Sequence, residues 1–300
     1  MFEIEQVTLP ELTGDTERNV YIYVPDSFEH NQDLRYPVLY MFDGQNVFID
    51  EDASYGKSWG MKDFMDYTDM PIMVVGIASN QSPDNSRLEE YSPYSFDDHI
   101  FGYVEGKGYK TMDWIVNELK PYIDENYPTL PDRAHTLIAG SSMGGLMSYF
   151  ALVKYNHIFS KAAALSPSLW ARFPQLVKDL KEADLDPDTV IYMDYGSEED
   201  HGRFGKRAVK CFWEMTRYLQ RKKVFVTSRI IPYGNHSEAS WEKQVPIFLT
   251  ILLDTILEDL HQDVFMEEEN FENEDENFEY EENFEEYENQ EYNEEYEENQ

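Results

Sequence analysis

Short apolar runs, bounded by Gly, Asp, Asn and Pro, recur along the chain up to about residue 260, and amphipathic stretches separate the later runs. The runs predict strands over residues 20–24, 37–42, 71–77, 136–139, 161–165, 189–195 and 224–232. Apolar residues at helical spacing predict helices over residues 109–127, 145–155, 206–220 and 241–260. Apolar strands that alternate with helices are typical of a parallel sheet with both faces covered. We therefore predict an α/β fold with a mostly parallel central sheet, helices on both of its faces and an antiparallel start.

The pattern changes after about residue 262. Residues 264–300 hold 18 of the 60 acidic residues and none of the 24 basic ones, and the triplet "NFE" recurs at Asn270, Asn277 and Asn283. Like charges at this density oppose collapse into a core. We predict one α/β domain over residues 1–262 and a disordered, acidic, low-complexity tail over residues 263–300. The Phe and Tyr residues spaced through the tail allow two interpretations: anchors for a basic protein partner, or no more than a solubilising segment.

Composition narrows the class of protein. The single cysteine, Cys211, excludes an intrachain disulfide, and the acidic N-terminal stretch has no apolar core of signal-peptide length. No apolar run reaches the roughly 20 residues that span a bilayer. The net charge is −36, and −18 of it belongs to residues 1–263. Such a charge disfavours nucleic acid and anionic membranes as partners. We therefore expect a cytoplasmic protein that binds neither.

One stretch joins a predicted strand to a predicted helix through small residues, "LIAGSSMGGLMSYFAL" from Leu137 to Leu152. Within it, Gly140, Ser142 and Gly144 form the pattern G-x-S-x-G. This pattern is typical of a nucleophile elbow, a tight turn that presents a serine at the end of a sheet. The alternative is a plain strand-to-helix turn whose small residues only permit close packing.

A serine nucleophile requires a base, usually histidine, and the histidine requires a carboxylate. Of seven histidines, only His236 directly follows a predicted strand near the C-terminus, in "RIIPYGNHSEASW". The alternative for His236 is a surface loop histidine. The preceding strand is followed by an acidic cluster in "YMDYGSEED", where Glu198, Glu199 and Asp200 are equally placed to supply the carboxylate. Their alternative is an acidic turn in an acidic protein.

The fourth expected part is a pair of backbone N–H groups that stabilise a carbonyl oxygen as it becomes negative. The first is Met143, the residue after the serine. The second is expected in the loop after an early strand, and "VLYMFDGQNVF" places Asp43, Gly44 and Gln45 there. Gly44 permits an unusual backbone, so the Gln45 N–H is the candidate donor. A tight turn without this role is the alternative.

Taken in order, several stretches resemble the putative-esterase family of α/β-hydrolases, which includes esterase D, feruloyl and acetylxylan esterases, ferric-siderophore esterases and mycolyltransferases. They are "YMFDGQNVF", "VVGIASN", "RLEEYSPY", "AGSSMGGLMSYFAL", "SPSLW", "YMDYGSEED" and "GNHSEASW", and they span most of residues 18–257. The resemblance implies the α/β-hydrolase fold and a Ser-acid-His carboxylesterase without metal or organic cofactor. It maps the nucleophile to Ser142 and the base to His236, and it favours Glu199 as the acid. One departure is Asp43, where many relatives have histidine.

The substrate pocket is less constrained, because loops above the strand ends form it in this fold. Trp170, Tyr91, Arg87 and Asn46 are candidate substrate contacts, with Trp170 stacking on a ring and Arg87 binding an anionic group. Loop packing for Trp170 and a salt bridge for Arg87 are the alternatives. The expected activity is hydrolysis of a small-molecule or carbohydrate-linked ester. An acyltransferase with the same residues, or a hydrolase-fold interaction protein that works through its tail, are the alternative functions.

Overall fold

The computed structural model describes residues 1–82, 84, 86–99, 101–199, 202–254 and 256. The chain divides into two compact units, Met1–Leu252 and Leu253–Gln300. The predicted tail and the predicted boundary after residue 262 lie outside the described residues, so both remain predictions. No helix in the described part of the chain is long and apolar enough to cross a bilayer.

The first unit is built on an eight-stranded sheet. The strands are β1 (Phe2–Leu9), β2 (Gly14–Tyr23), β3 (Val38–Phe42), β4 (Met73–Ile77), β7 (Thr136–Ser141), β8 (Lys161–Leu165), β9 (Val190–Gly196) and β10 (Phe225–Ile231). Their order in the sheet is β1-β2-β4-β3-β7-β8-β9-β10. β2 pairs antiparallel with β1 and with β4, and every other neighbouring pair in this sheet is parallel. The prediction of a mostly parallel sheet with an antiparallel start is confirmed. Every residue of β3, β4, β7, β8 and β9 is buried, so both faces of the central sheet are covered.

Helices lie between the strands and after the last of them. They are α1 (Pro10–Thr13), α2 (Ser27–His30), α3 (Met61–Thr68), α4 (Ser86–Glu90), α5 (Gly108–Trp114), α6 (Lys120–Asn126), α7 (Met143–Lys154), α8 (Phe173–Glu182), α9 (Gly202–Arg221) and α10 (Glu238–Glu242). The predicted helix over residues 109–127 is interrupted by a π-helical segment, Ile115–Leu119. The predicted helix over residues 241–260 is instead α10, a turn at residues 243–244 and a second helix over residues 245–254.

Sequence reasoning missed four kinds of element: the edge strand β1, the helices α3 and α8, the one-turn helices, and a hairpin of β5 (Phe96–Asp98) and β6 (Gly102–Val104). β1 was hard to detect, because the apolar residues of "FEIEQVTL" change phase at Gln6: Phe2 and Ile4 fall on one face, and Val7 and Leu9 on the other. The hairpin strands have three residues each, which is too short for a periodic pattern to show.

Candidate active site

The turn between β7 and α7 has the geometry that the G-x-S-x-G pattern predicts. Ser142 lies between the two elements with φ 58° and ψ −119°, a backbone conformation that residues other than glycine rarely adopt. Its N–H donates to the Leu165 carbonyl at 2.9 Å, and its own carbonyl accepts from Ser168 N at 3.0 Å. A Cβ on Gly140 would lie 2.8 Å from the Gly144 carbonyl carbon. The two glycines therefore allow the tight turn, and hydrogen bonds to the loop after β8 hold it.

Three predicted residues from three loops form one hydrogen-bonded chain. His236 Nε2 lies 2.9 Å from Ser142 Oγ, and His236 Nδ1 lies 2.9 Å from Glu199 Oε2. An ionised carboxylate only accepts, so Nδ1 carries the imidazole proton and Nε2 presents its lone pair to the serine hydroxyl. The His236 side chain is 42% exposed, whereas that of Glu199 is 1% exposed. The histidine is therefore open to substrate, and the carboxylate behind it is shielded from water.

The orientation of the Glu199 carboxylate is fixed by donors to its second oxygen. Glu199 Oε1 accepts from Gly196 N and from Ser166 Oγ, both at 2.5 Å. Trp241 Nε1 lies 2.9 Å from the same Ser166 Oγ. An indole N–H can only donate, so the Ser166 hydroxyl accepts from Trp241 and must give its own proton to Glu199. These contacts occupy Oε1 and leave Oε2 for His236.

The loops that carry the acid and the base are also joined through their backbones. Glu198 N donates to the Gly234 carbonyl at 2.8 Å, and a Cβ on Gly196 would lie 2.4 Å from that carbonyl oxygen. Only a glycine fits at position 196 without a shift of the neighbouring loop. Of the three candidate acids, Glu199 contacts His236, the Glu198 residue is exposed, and Asp200 lies outside the described residues.

A second carboxylate lies behind the first. Asp194, near the end of β9, is 1% exposed, and burial raises the pKa of its carboxyl to about 7. Ser166 N lies 3.2 Å from Asp194 Oδ1, and the Tyr192 hydroxyl lies 3.0 Å from Asp194 Oδ2. That hydroxyl is also 3.3 Å from Gln244 Oε1. The Tyr192 hydroxyl donates to Asp194 Oδ2, and this hydrogen bond opposes the effect of burial on the pKa of the carboxyl without cancelling it.

The loop after β3, which carries the predicted second N–H donor, is held by a partly buried ion pair. Asp43 has φ 58°, and its carboxylate accepts from Arg87 Nε at 2.7 Å and from Arg87 Nη2 at 2.6 Å. The Asp43 N–H donates to the Tyr91 hydroxyl at 3.1 Å. The Gln45 side chain binds Ser79 twice, through Nε2 to Oγ and through Oε1 from the backbone N, each at 3.1 Å. These contacts fix the backbone of the loop at Gln45.

A cleft of about 1020 Å³ opens above Ser142 and His236. Gln45 and Met143, the predicted N–H donors, both line it, as do Asn46, Arg87 and Trp170. Met143 is the first residue of α7, so its N–H has no acceptor within that helix. The cleft combines hydroxyl and amide groups with aromatic rings, a lining suited to a partly apolar organic molecule.

Three candidate substrate contacts have partners within the protein. Tyr91 is 2% exposed and is not among the residues that line the cleft, because its ring packs on Phe42 and its hydroxyl holds the Asp43 loop. The prediction of a direct Tyr91 contact is corrected to a supporting role for that loop. Arg87 lines the cleft, but its guanidinium is bound in a bidentate manner by Asp43, as the salt-bridge alternative predicts. Trp170 packs edge-on against Phe96 at 6.0 Å between ring centroids.

Sequence reasoning missed Ser166, Trp241 and Asp194, although all three lie in the quoted stretches. A strand-end serine, a tryptophan five residues after the candidate base and an aspartate in an otherwise apolar strand were the available signals. Within the described residues, no group of three or more His, Cys, Asp or Glu side chains is arranged to hold a metal ion.

Comparison with known proteins gives consistent results. A family model described as putative esterase matches residues 13–255. The chain is 28% identical over 186 residues to the protein YbbA of Bacillus subtilis, which covers 61% of this chain and 69% of YbbA. It is 26% identical over 172 residues to the esterase MT1326 of Mycobacterium tuberculosis, which covers 54% of this chain and 34% of that protein. The enterobactin esterase FES of Shigella flexneri has a similar fold, with a TM-score of 0.64, 18% identity, and coverage of 85% of this chain and 59% of that one.

Proposed function

The chain belongs to the putative-esterase family, whose description supports ester hydrolysis, and we propose that it is a serine carboxylesterase that acts through an acyl-enzyme on Ser142. The observation that carries the proposal is the hydrogen-bonded chain from Ser142 Oγ through His236 to Glu199. A packing turn at Ser142 and a surface histidine at residue 236 would have no reason to meet at hydrogen-bond distance.

In the first half of the reaction, Ser142 Oγ attacks the ester carbonyl carbon while its proton passes to His236 Nε2. The carbonyl oxygen becomes negative and accepts hydrogen bonds from the N–H groups of Met143 and Gln45. Glu199 stabilises the positive imidazolium. The C–O bond to the alcohol then breaks, and His236 returns the proton to the leaving oxygen.

In the second half, a water molecule gives its proton to His236 and attacks the acyl carbon. The bond to Ser142 Oγ breaks, the serine recovers its proton from His236, and the carboxylic acid leaves. The substrate class that we propose is a small-molecule ester with an aromatic or apolar portion, because six Phe, Tyr and Trp side chains are among the described residues that line the cleft. Neither an acyltransferase nor a tail-based interaction protein is favoured by the family match.

Replacement of Ser142 tests the proposal. Ser142→Ala should lower turnover of a p-nitrophenyl ester by at least about 10³-fold and abolish labelling by a fluorophosphonate probe, because the acyl-enzyme has no other oxygen to form on. Ser141→Ala is the matched control, since Ser141 is the neighbouring serine, is buried and is the last residue of β7. Wild-type turnover or labelling in Ser142→Ala would refute the mechanism.

A further inference from the structure

A buried carboxylate that the proposed mechanism does not use lines the same cleft. Glu238, two residues after His236 and the first residue of α10, is 9% exposed. Its one hydrogen bond to another side chain among the described residues runs from Asn46 Nδ2 to Oε1 at 3.5 Å, the outer limit for such a bond. A carboxylate accepts several hydrogen bonds when fully satisfied. Glu238 therefore retains acceptor capacity toward the cleft.

Asn46 is held in place beside it. Asn46 Oδ1 accepts from Ser54 N at 2.9 Å, and the Asn46 carbonyl accepts from Trp59 N at 2.9 Å. Its amide nitrogen is thereby directed to Glu238, and one of its two N–H bonds remains available. Asn46, from the loop after β3, and Glu238, from the start of α10, therefore form a fixed polar wall of the cleft.

The charges of the cleft favour a positive ligand at this wall. Among the described residues that line the cleft, Arg87 has the one permanent positive charge, and Asp43 neutralises it in a bidentate pair. Asp84 and Glu238 add two negative groups, and His236 must be neutral to act as a base. Burial raises the pKa of the Glu238 carboxyl, which reflects the unfavourable removal of its charge from water. A cation would offset that penalty, and an anion would increase it.

We propose that Glu238 and Asn46 form a subsite that binds a cationic group on the alcohol portion of the ester. The alcohol side follows from the proposed mechanism, on which this inference rests: His236 protonates the leaving oxygen, and Glu238 lies only two residues further along the chain, at the start of α10. The preferred substrates are then esters of amino alcohols, and anionic esters are disfavoured.

Two esters of equal shape isolate the charge. Butyrylcholine and 3,3-dimethylbutyl butyrate differ by a quaternary nitrogen in place of a carbon, and acid release in a pH-stat gives kcat/KM for both. We expect the wild-type protein to prefer the cation by at least about tenfold, the scale of one charge contact partly shielded by water. Glu238→Gln keeps the shape but removes the charge, so the ratio of the two kcat/KM values should fall to near 1.

Glu242→Gln is the matched control, because Glu242 lies on the same helix and its carboxylate pairs with Lys57 rather than lining the cleft. Its ratio should equal that of the wild type. Calorimetry with choline and 3,3-dimethylbutanol gives a second readout that needs no turnover, and Glu238→Gln should bind choline at least about tenfold more weakly. A wild-type ratio near 1, a ratio preserved in Glu238→Gln, or equal choline binding in the two proteins overturns the subsite. Absence of any Ser142-dependent hydrolysis would instead overturn the proposed function.

Discussion

Replacement of Glu199 by Gln tests whether the carboxylate sets the position of the proton on His236. In the wild type, Oε1 accepts from two donors, Gly196 N and Ser166 Oγ, and Oε2 accepts from His236 Nδ1. Gln has one acceptor oxygen and one donor nitrogen. Because both donors at the first position require the oxygen, the amide nitrogen must face His236 Nδ1. That nitrogen only donates, so Nδ1 must lose its proton and the imidazole must carry it on Nε2.

The consequence is a histidine in the wrong tautomer. With a proton on Nε2, His236 no longer accepts the Ser142 proton, and the neutral amide no longer stabilises the imidazolium. Recovery of the reactive tautomer would break a hydrogen bond or place two N–H groups face to face. We expect kcat to fall by about 10²- to 10⁴-fold, or about 3–5 kcal/mol in the activation free energy, with KM changed much less.

Steady-state kinetics on one p-nitrophenyl ester provide the assay, with circular dichroism to verify the fold. Glu199→Ala, which imposes no tautomer, should lose no more activity than Glu199→Gln. Glu198→Gln is the control, because that exposed residue has no contact with His236, and its kcat should change by less than about tenfold. A Glu199→Gln enzyme with near wild-type kcat would refute the assignment. Asp200→Asn should then be measured, since that residue lies outside the described part of the chain.

Two further predictions concern the groups behind the acid. Ser166→Ala removes the hydroxyl that donates to Glu199 Oε1, so steady-state kinetics should show a roughly tenfold lower kcat with KM within about twofold. Adding Trp241→Phe to this variant should have little further effect, because Trp241 acts on Glu199 through Ser166; additive losses would contradict that connection. Asp194→Asn tests the raised pKa of that carboxyl. The folded protein binds the proton more tightly than the unfolded chain, so this contribution to stability is complete below about pH 4 and is lost as pH rises through 7. Denaturant unfolding at pH 5 and pH 8 should show the wild type losing about 3 kcal/mol relative to Asp194→Asn, and parallel pH dependences would refute it.

The Asp43–Arg87 pair gives Asp43 a structural role in the loop after β3. Asp43 occupies the start of the loop after β3 in a left-handed conformation, and Arg87 of α4 donates hydrogen bonds to both of its carboxylate oxygens. The pair holds the loop that ends at Gln45 and at the same time removes Arg87 as a free binding site for an anion. The same contact thus supports the proposed oxyanion donor and sets the charge of the cleft.

The sequence by itself determined the features that depend on local chemistry. Seven apolar runs predicted seven of the eight strands of the main sheet. Five of these strands, β3, β4, β7, β8 and β9, are buried on both faces, which favours apolar residues along their whole length. The pattern around Ser142 predicted its turn, because glycines at positions 140 and 144 have no Cβ atoms to clash where the backbone approaches itself so closely. Chain order selected His236 from seven histidines, because the carboxyl ends of parallel strands meet at one edge of the sheet.

Tertiary structure decided which side chains meet. Glu198, Glu199 and Asp200 are equivalent as candidate acids in the sequence. Glu199 is distinguished by its carboxylate, which accepts hydrogen bonds from Ser166 Oγ and Gly196 N. Trp241 reaches Ser166 across 75 positions of the chain, and Arg87 reaches Asp43 across 44. No periodic pattern encodes such contacts, because they depend on how separate loops pack above the sheet. The fold class is therefore readable from the order of apolar runs, whereas the second layer of the site exists only once the strands are assembled.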